Sequence, residues 1–478
     1  MTSWTQDAIW WHVYPLGFVG AEQELAALAG GPEPAVLARA IEGSAVRHRL
    51  DALFPWLDYL IELGCNGLAL APIFASASHG YDTLDFFTVD PRLGDETDLT
   101  RLIEECHGRG VRVLLDGVFN HVGWANPAFQ RVLATGPSAP EAPLFRLRWP
   151  DGPWRPGVVP DYGTFEGHGG LVALDHDAPA VAELVADVMT HWLDLGVDGW
   201  RLDAAYAVNA DFWARVLPRV RARHPGAYIV GEVIHGDYAQ IVASTGMDAV
   251  TQYELWKASW SSLNDANFWE LDYALRRHNE FLDHFVPYTF VGNHDVTRIA
   301  SKLTDPRHVA HAVAILATVG GTPAIYYGDE QGYHGVKEDR VGGDDQVRPR
   351  FPELPEHLSE LGRDMWETHR VLIGLRRRHR WLHTARTAPV HLTNTQYVYA
   401  VTPGAEGPLD GAGGRLLVAL SLEDGECSLP APGARAVVAG LGRLVPSAGH
   451  GAGHGAGRGQ PADVRVVLPA HGWAVLSG

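Results

Sequence analysis

Short apolar runs and longer amphipathic stretches alternate along most of the chain. Apolar runs near Ile9–Tyr14, Gly67–Ala71, Val111–Asp116, Gly199–Asp203, Tyr228–Glu232, Ala249–Tyr253, Tyr288–Val291 and Ala324–Tyr327 read as eight strands. Runs such as VRVLLDGV and AYIVGEV are apolar without alternation, as strands covered on both faces by helices must be. Between them, apolar residues at helical spacing predict helices over Leu50–Leu63, Asp95–Arg109, Pro179–Leu195, Asp211–Arg223, Asn267–His284, Arg307–Val319 and Leu358–His379. The first ends at Gly64, a residue suited to a left-handed C-cap. The link between strands five and six has the weakest pattern and predicts a short helix. Eight strands alternating with helices predict an α/β chain closed into a (β/α)8 barrel.

Two stretches interrupt the alternation. Residues Gly20–Arg49 separate strand one from its helix, and Asn120–Asp177, rich in Pro, Gly and Trp, separate strand three from the next. The second is too long for a plain loop and reads as a subdomain inserted over 120–177. The barrel then comprises 1–119 and 178–385. From 386 to 478, runs such as QYVYAV, RLLVAL and DVRVVL alternate with Gly/Pro turns, which predicts a small antiparallel β-domain. Within it GHGAGHGAGRG (Gly449–Gly459) carries two histidines and reads as an exposed loop.

Composition changes this picture in three ways. Of 478 residues, 38 are Lys or Arg and 57 Asp or Glu, a net charge of −19 that repels phosphate backbones and anionic lipid, so neither nucleic acid nor a membrane is expected as partner. Three scattered cysteines form no CxxC pair and no even framework, which excludes a zinc ribbon and suits a reducing compartment. The N-terminus shows neither a basic segment followed by an apolar run nor a spanning segment, so the expected location is the cytoplasm. The 16 tryptophans point weakly toward a carbohydrate ligand, whose ring faces stack on aromatic planes.

In a barrel, chemistry belongs at the C-terminal ends of the strands. There the chain turns polar: DGVFNH (Asp116 to His121) ends strand three, GWRLDA (Arg201, Asp203) strand four, GEV (Glu232) strand five and FVGNHD (Asn293, His294, Asp295) strand seven. SHGYD, with His79, Tyr81 and Asp82, follows strand two. A lone Asp at such a place is usually a satisfied structural group. Acids converging on one mouth from three strands are costly to desolvate and call for a chemical reason. Metal-assisted hydrolysis would want several histidine ligands at strand one, where only His12 stands, and phosphoryl transfer would want a Gly-rich or basic mouth. Glycoside hydrolysis wants two carboxylates flanking the bond and an acidic cleft for an oxocarbenium-like transition state.

These four motifs, in this order and spacing, together with HGYDTLDFFTVDPRLG (His79–Gly94) and GTPAIYYGDE (Gly321–Glu330), resemble the conserved regions of the α-amylase family, glycoside hydrolase family 13. The resemblance runs from WHVYPLGF to the C-terminal β-domain. It implies a TIM barrel, an inserted domain after strand three and a C-terminal β-sandwich. By position Asp203 resembles the nucleophile, Glu232 the general acid/base and Asp295 the transition-state stabiliser. His121 and His294 match residues that bond the sugar, Tyr81 the one that stacks on it, and Asp116 the partner of the arginine Arg201; His79 belongs to the same segment. Arg201 is expected to keep Asp203 ionised, and two neighbouring aspartates to keep Glu232 protonated.

Two departures bear on specificity. Asn120 matches a calcium-ligand position, yet the histidine that supplies a further ligand is missing from DAAYAV, and no DxDxDG-like loop follows strand one. No metal and no other cofactor is therefore expected. Exo-acting relatives pair an Asp three residues before the stacking Tyr with an Arg; here Ser78 holds the first place, while Arg348 in GGDDQVRP offers the second. Ala204 after the nucleophile is the residue of α-1,4-acting relatives. The expected activity is retaining hydrolysis of α-1,4-glucans or malto-oligosaccharides, the alternative being glucosyl transfer or isomerisation on maltose, sucrose or trehalose. A catalytically dead binding barrel would have lost the nucleophile or the acid, and both are present.

Overall fold

The computed structural model describes residues 3–22, 45–340, 342–404, 414–446 and 464–478. Eight parallel strands form the inner ring: β1 Trp10–Val13, β2 Gly67–Leu70, β3 Arg112–Gly117, β4 Gly199–Leu202, β5 Tyr228–Gly231, β6 Ala249–Val250, β7 Tyr288–Phe290 and β8 Thr322–Tyr326. They are ordered β6-β5-β4-β3-β2-β1-β8-β7. A parallel bridge between Thr251 and Tyr288, with Gln252 N–H donating to Tyr288 O at 2.9 Å, joins the two ends and closes the barrel.

Around the ring lie α1 Phe54–Leu63, α2 Glu96–Gly108, α3 Pro179–Asp194, α4 Ala210–Arg223, α5 Tyr238–Thr245, α6 Tyr253–Asn264, α7 Phe268–Phe281, α8 Val309–Thr318 and α9 Arg363–Arg378. The α1 helix stops at Gly64, whose φ of 101° only glycine adopts without strain. The short helix expected between strands five and six is α5. The sixth strand is shorter than expected, because Tyr253 begins α6, and α6 itself was not anticipated. Its stretch YELWKASWSSLN carries aromatic and serine residues of middling helix propensity, and packing against α7 decides the outcome.

Seven of the 16 tryptophans lie deep in the core. Trp10, Trp11, Trp56, Trp192, Trp200, Trp213 and Trp381 are fully buried, so these seven cannot serve as sugar platforms. Gly67 is required where it stands, since a Cβ there would lie 2.3 Å from the Trp10 ring.

After β3 the chain forms a small antiparallel sheet from His121–Gly123, His168–Ala173 and Thr164–Phe165, which rises beside the barrel mouth. The C-terminal region is a β-sandwich. A five-stranded antiparallel sheet containing Gln396–Thr402, Leu416–Ser421 and Trp473–Ser477 faces a three-stranded one containing Cys427–Pro430 and Val464–Leu468. Val398, Leu417 and Leu476 pack against Leu429, Val466 and Leu468 between them. Of the stretch Gly20–Arg49, residues 23–44 lie outside the described residues, as does the Gly449–Gly459 loop. Among the described residues no helix is long and apolar enough to cross a membrane.

Candidate active site

The polar ends of β3, β4, β5 and β7 meet at one mouth, and a single guanidinium organises them. Arg201, buried on β4, contacts Asp116 Oδ2 at 2.5 Å and Asp203 Oδ1 at 3.3 Å through Nη1. Through Nη2 it contacts Glu232 Oε1 at 2.8 Å and Asp295 Oδ2 at 4.0 Å. The parallel register sets Arg201 beside Asp116 on β3 and Val230 on β5, so strand alignment alone brings these groups together. Ala204, at φ 44°, turns the chain sharply after Asp203 and aims its N–H at Glu232 Oε2, 3.1 Å away.

Both oxygens of Glu232 therefore accept hydrogen bonds. Oε1 also receives Tyr253 OH at 3.1 Å, and that hydroxyl in turn accepts from Asn293 Nδ2 at 2.9 Å. Tyr253 was not singled out beforehand, although a polar residue ending the sixth apolar run was a visible sign of it.

Asp295 sits in a cationic setting. His294 Nε2 lies 2.8 Å from its Oδ2, and Arg348 Nη2 donates to its Oδ1 at 3.1 Å. Arg348 also donates from Nε to His294 O at 3.1 Å, and its guanidinium lies 4.7 Å from the Tyr14 ring centre. Tyr81 stacks on His294 with centroids 5.2 Å apart at 7°, hydrogen-bonds His294 Nε2, and donates to Asp116 Oδ2 at 3.0 Å.

Of the expected residues, Asp203, Glu232, Asp295, Arg201, Tyr81, His294 and Arg348 thus share one site. His121 and His79 stand one layer back. His121 Nε2 donates to the Tyr81 carbonyl at 2.9 Å while Nδ1 faces Asn120 Nδ2 at 3.1 Å, so both its nitrogens are used within the protein. Burial pushes its imidazole down to about 4, so it is neutral at working pH. Its ring stacks on Phe165 of the inserted sheet at 4.8 Å. His79 Nδ1 accepts from Tyr81 N–H at 3.3 Å, and its carbonyl accepts from Tyr14 OH at 2.7 Å. Ser78 hydrogen-bonds Asp82 instead of leaving an acid at the rim.

The charges divide differently from the sequence-based expectation. Burial, reinforced by the Glu232 carboxylate, pushes Asp203 well above the usual carboxylate range, and Arg201 does not offset it. The reason is geometric: Arg201 gives Asp203 a longer contact than Asp116 or Glu232 receives. At Asp295 burial also favours the neutral acid, but His294, Arg348 and Arg201 outweigh it and hold that carboxyl well below its usual range. The mouth therefore favours the ionised form at Asp295 and the neutral form at Asp203, whose single contact with Arg201 is longer than those of Asp116 and Glu232.

A sequence model of the alpha amylase catalytic domain matches residues 49–387. A cyclomaltodextrinase of Geobacillus thermopakistaniensis (strain MAS1) is 31% identical over 415 residues, which are 84% of this chain and 68% of that protein. A maltogenic alpha-amylase of Bacillus acidopullulyticus is 31% identical over 352 residues, 70% of this chain and 58% of that protein. The solved cyclic alpha-maltosyl-(1→6)-maltose hydrolase from Arthrobacter globiformis superimposes with a TM-score of 0.76 at 24% identity, covering 100% of this chain and 99% of that one; at such identity the likeness speaks for the fold alone. With the catalytic-domain match spanning most of the barrel that carries these carboxylates, the chain belongs to the α-amylase family of glycoside hydrolases.

Proposed function

We propose that the protein hydrolyses α-1,4 bonds of malto-oligosaccharides or α-glucans with retention of anomeric configuration. The observation that carries this reading is the convergence of Asp203, Glu232 and Asp295 on Arg201 in a buried mouth. Asp203 Oδ attacks the anomeric carbon as the glycosidic C–O bond breaks, and Glu232 gives its proton to the leaving oxygen. A glycosyl ester on Asp203 results. Glu232, now a carboxylate, takes a proton from water, whose oxygen attacks the anomeric carbon and releases Asp203. Asp295, anchored by His294 and Arg348, offers fixed negative charge where positive charge develops on the ring.

The scheme uses Asp203 as a carboxylate, whereas burial and its acidic neighbours favour the neutral form there. Every reacting group in this scheme is a side chain of the chain itself, and we assign it no metal and no other cofactor. Three unpaired thiols, Cys65, Cys106 and Cys427, suit a cytoplasmic location.

The relatives named as a cyclomaltodextrinase and a maltogenic amylase support a malto-oligosaccharide substrate. The test is product chromatography on maltose, maltotriose, isomaltose, sucrose, trehalose, a cyclodextrin and soluble starch, with proton NMR of the first product. Release of an α-anomer from maltotriose or cyclodextrin is the expected result. A β-anomer, or turnover confined to sucrose or trehalose, would overturn the assignment.

A further inference from the structure

Away from the barrel mouth, the start of α8 meets the last turn of the C-terminal sandwich, which links its two sheets, through an unusual set of side chains. His308 Nε2 and His471 Nδ1 face each other at 2.9 Å, and Asp305 Oδ2 lies 3.8 Å from that same His471 nitrogen. The ligand atoms of all three residues fall within 4.8 Å of one another. Asp305 and His308 are three residues apart across a 3-10 turn, which puts both on one side, while His471 comes from the other domain. We propose that Asp305, His308 and His471 form a binding site for a divalent transition metal of the zinc class, which staples the barrel to the C-terminal sandwich.

Four features support the assignment. Two neutral imidazoles and a carboxylate are a donor set suited to zinc, and a tetrahedral site with Zn–N bonds near 2.0–2.1 Å has ligand-to-ligand edges of about 3.3 Å. The observed separations of 2.9 and 3.8 Å bracket that edge, so small side-chain adjustments suffice. His471 Nε2 contacts Asp424 Oδ1 at 2.9 Å, the carboxylate–histidine pairing that fixes the ligand tautomer and leaves Nδ1 free to bind. Burial pushes His308 below its ordinary value, which keeps it in the neutral form a metal requires. Finally, His471 holds a backbone φ of 50°, a left-handed turn in which Asn, Asp and His are the favoured residues after Gly, and its ring faces His308 from that turn.

Without metal the pair must share one N–H···N hydrogen bond. Binding places the ion between the two nitrogens, and the proton of that bond moves from Nε2 to Nδ1 of His308, so both rings stay neutral. Arg307, which chelates Asp305 with Nε and Nη2, competes for the carboxylate and must yield one oxygen to the ion. The two histidines therefore set the affinity, and Asp305 completes the site.

The test is zinc stoichiometry and thermal unfolding of the full chain, in excess chelator and in micromolar zinc, for the wild type, His308→Gln and His471→Asn. Asparagine tolerates the left-handed backbone at 471, so that variant should fold even if the other does not. The wild type should bind one equivalent more than either variant, and its unfolding midpoint should rise by about 2–5 °C with zinc. Asp424→Asn should weaken binding about 10–100-fold. Hydrolysis of maltotriose should persist in all three variants. Equal stoichiometry in wild type and both variants, or a midpoint indifferent to zinc in the wild type, would overturn the site. Failure of the hydrolysis reading leaves this result untouched, since it is read on metal content and unfolding.

Discussion

Arg201 compensates more negative charge than any other group at the mouth, and replacing it with methionine should expose how much. At an effective dielectric of about 20, a unit-charge pair roughly 3 Å apart is worth about 5 kcal/mol, or about 4 pH units on the titration of the acid. Contacts at 2.5, 2.8 and 3.3 Å to Asp116, Glu232 and Asp203 are all of that order and all buried. The acids escape most of the penalty by taking up protons, so the net loss of stability near neutral pH should be about 3–5 kcal/mol rather than the sum of the pairs. The sign follows from linkage. Carboxyls raised in the folded state bind more protons there than in the unfolded chain, so the folded state loses ground as pH rises from their unfolded value, near 4, through the folded one. The midpoint deficit of Arg201→Met relative to wild type should accordingly be small at pH 4.5 and several degrees larger at pH 8. Arg201→Lys, which keeps the charge but not the fork, should fall between them. Thermal unfolding across pH 4.5–8, paired with kcat/KM on maltotriose, reads both effects, and the methionine variant should lose at least about a thousandfold in kcat/KM. A deficit that does not change with pH, or a methionine variant with near wild-type turnover, would refute the charge accounting.

Three further outcomes are expected. Asp203→Asn should lower kcat by about 10⁴-fold or more. Because burial raises Asp203 in the folded state, the wild type carries an electrostatic cost that grows above pH 4 and the asparagine variant does not, so the variant should unfold at an equal or higher temperature at pH 7, with the difference fading by pH 4. In Glu232→Gln, glycosylation by a natural maltoside should nearly vanish while an aryl α-maltoside with a nitrophenolate leaving group keeps most of its rate; equal loss on both would move the acid role elsewhere. Tyr253→Phe removes the hydroxyl linking Asn293 to Glu232, and should cut kcat by about 10-fold with little change in KM while shifting the basic limb of the pH profile. An unchanged limb would make Tyr253 a packing residue.

The order of strands and helices was written in the chain, because a strand covered on both faces must be apolar throughout and a barrel helix must be apolar on one side. The Gly64 cap and the polar residues that end β3, β4, β5 and β7 were visible for the same local reason: each is a break in a pattern a few residues long. The motif residues could be named from sequence because the site takes one or two from each strand end, and strand ends are where the apolar pattern stops. Tertiary structure decided what no local pattern encodes. Tyr253 begins a helix in place of ending a strand, since packing against α7 outweighs the propensity of YELWKASW. Seven of the 16 tryptophans went to the deep core, because rings that large fill the spaces between sheet and helices. Above all, the division of charge came from three-dimensional distances. The resemblance already paired Arg201 with Asp116, and sequence proximity suggested Asp203 as a second close partner, but the register of β3, β4 and β5 brought Glu232 closer to Arg201 than Asp203. Asp203 was left with burial, and Asp295 acquired His294 and an arginine 53 residues away. Electrostatic energy depends on separation in space and on the water excluded between charges, and both are properties of the folded chain.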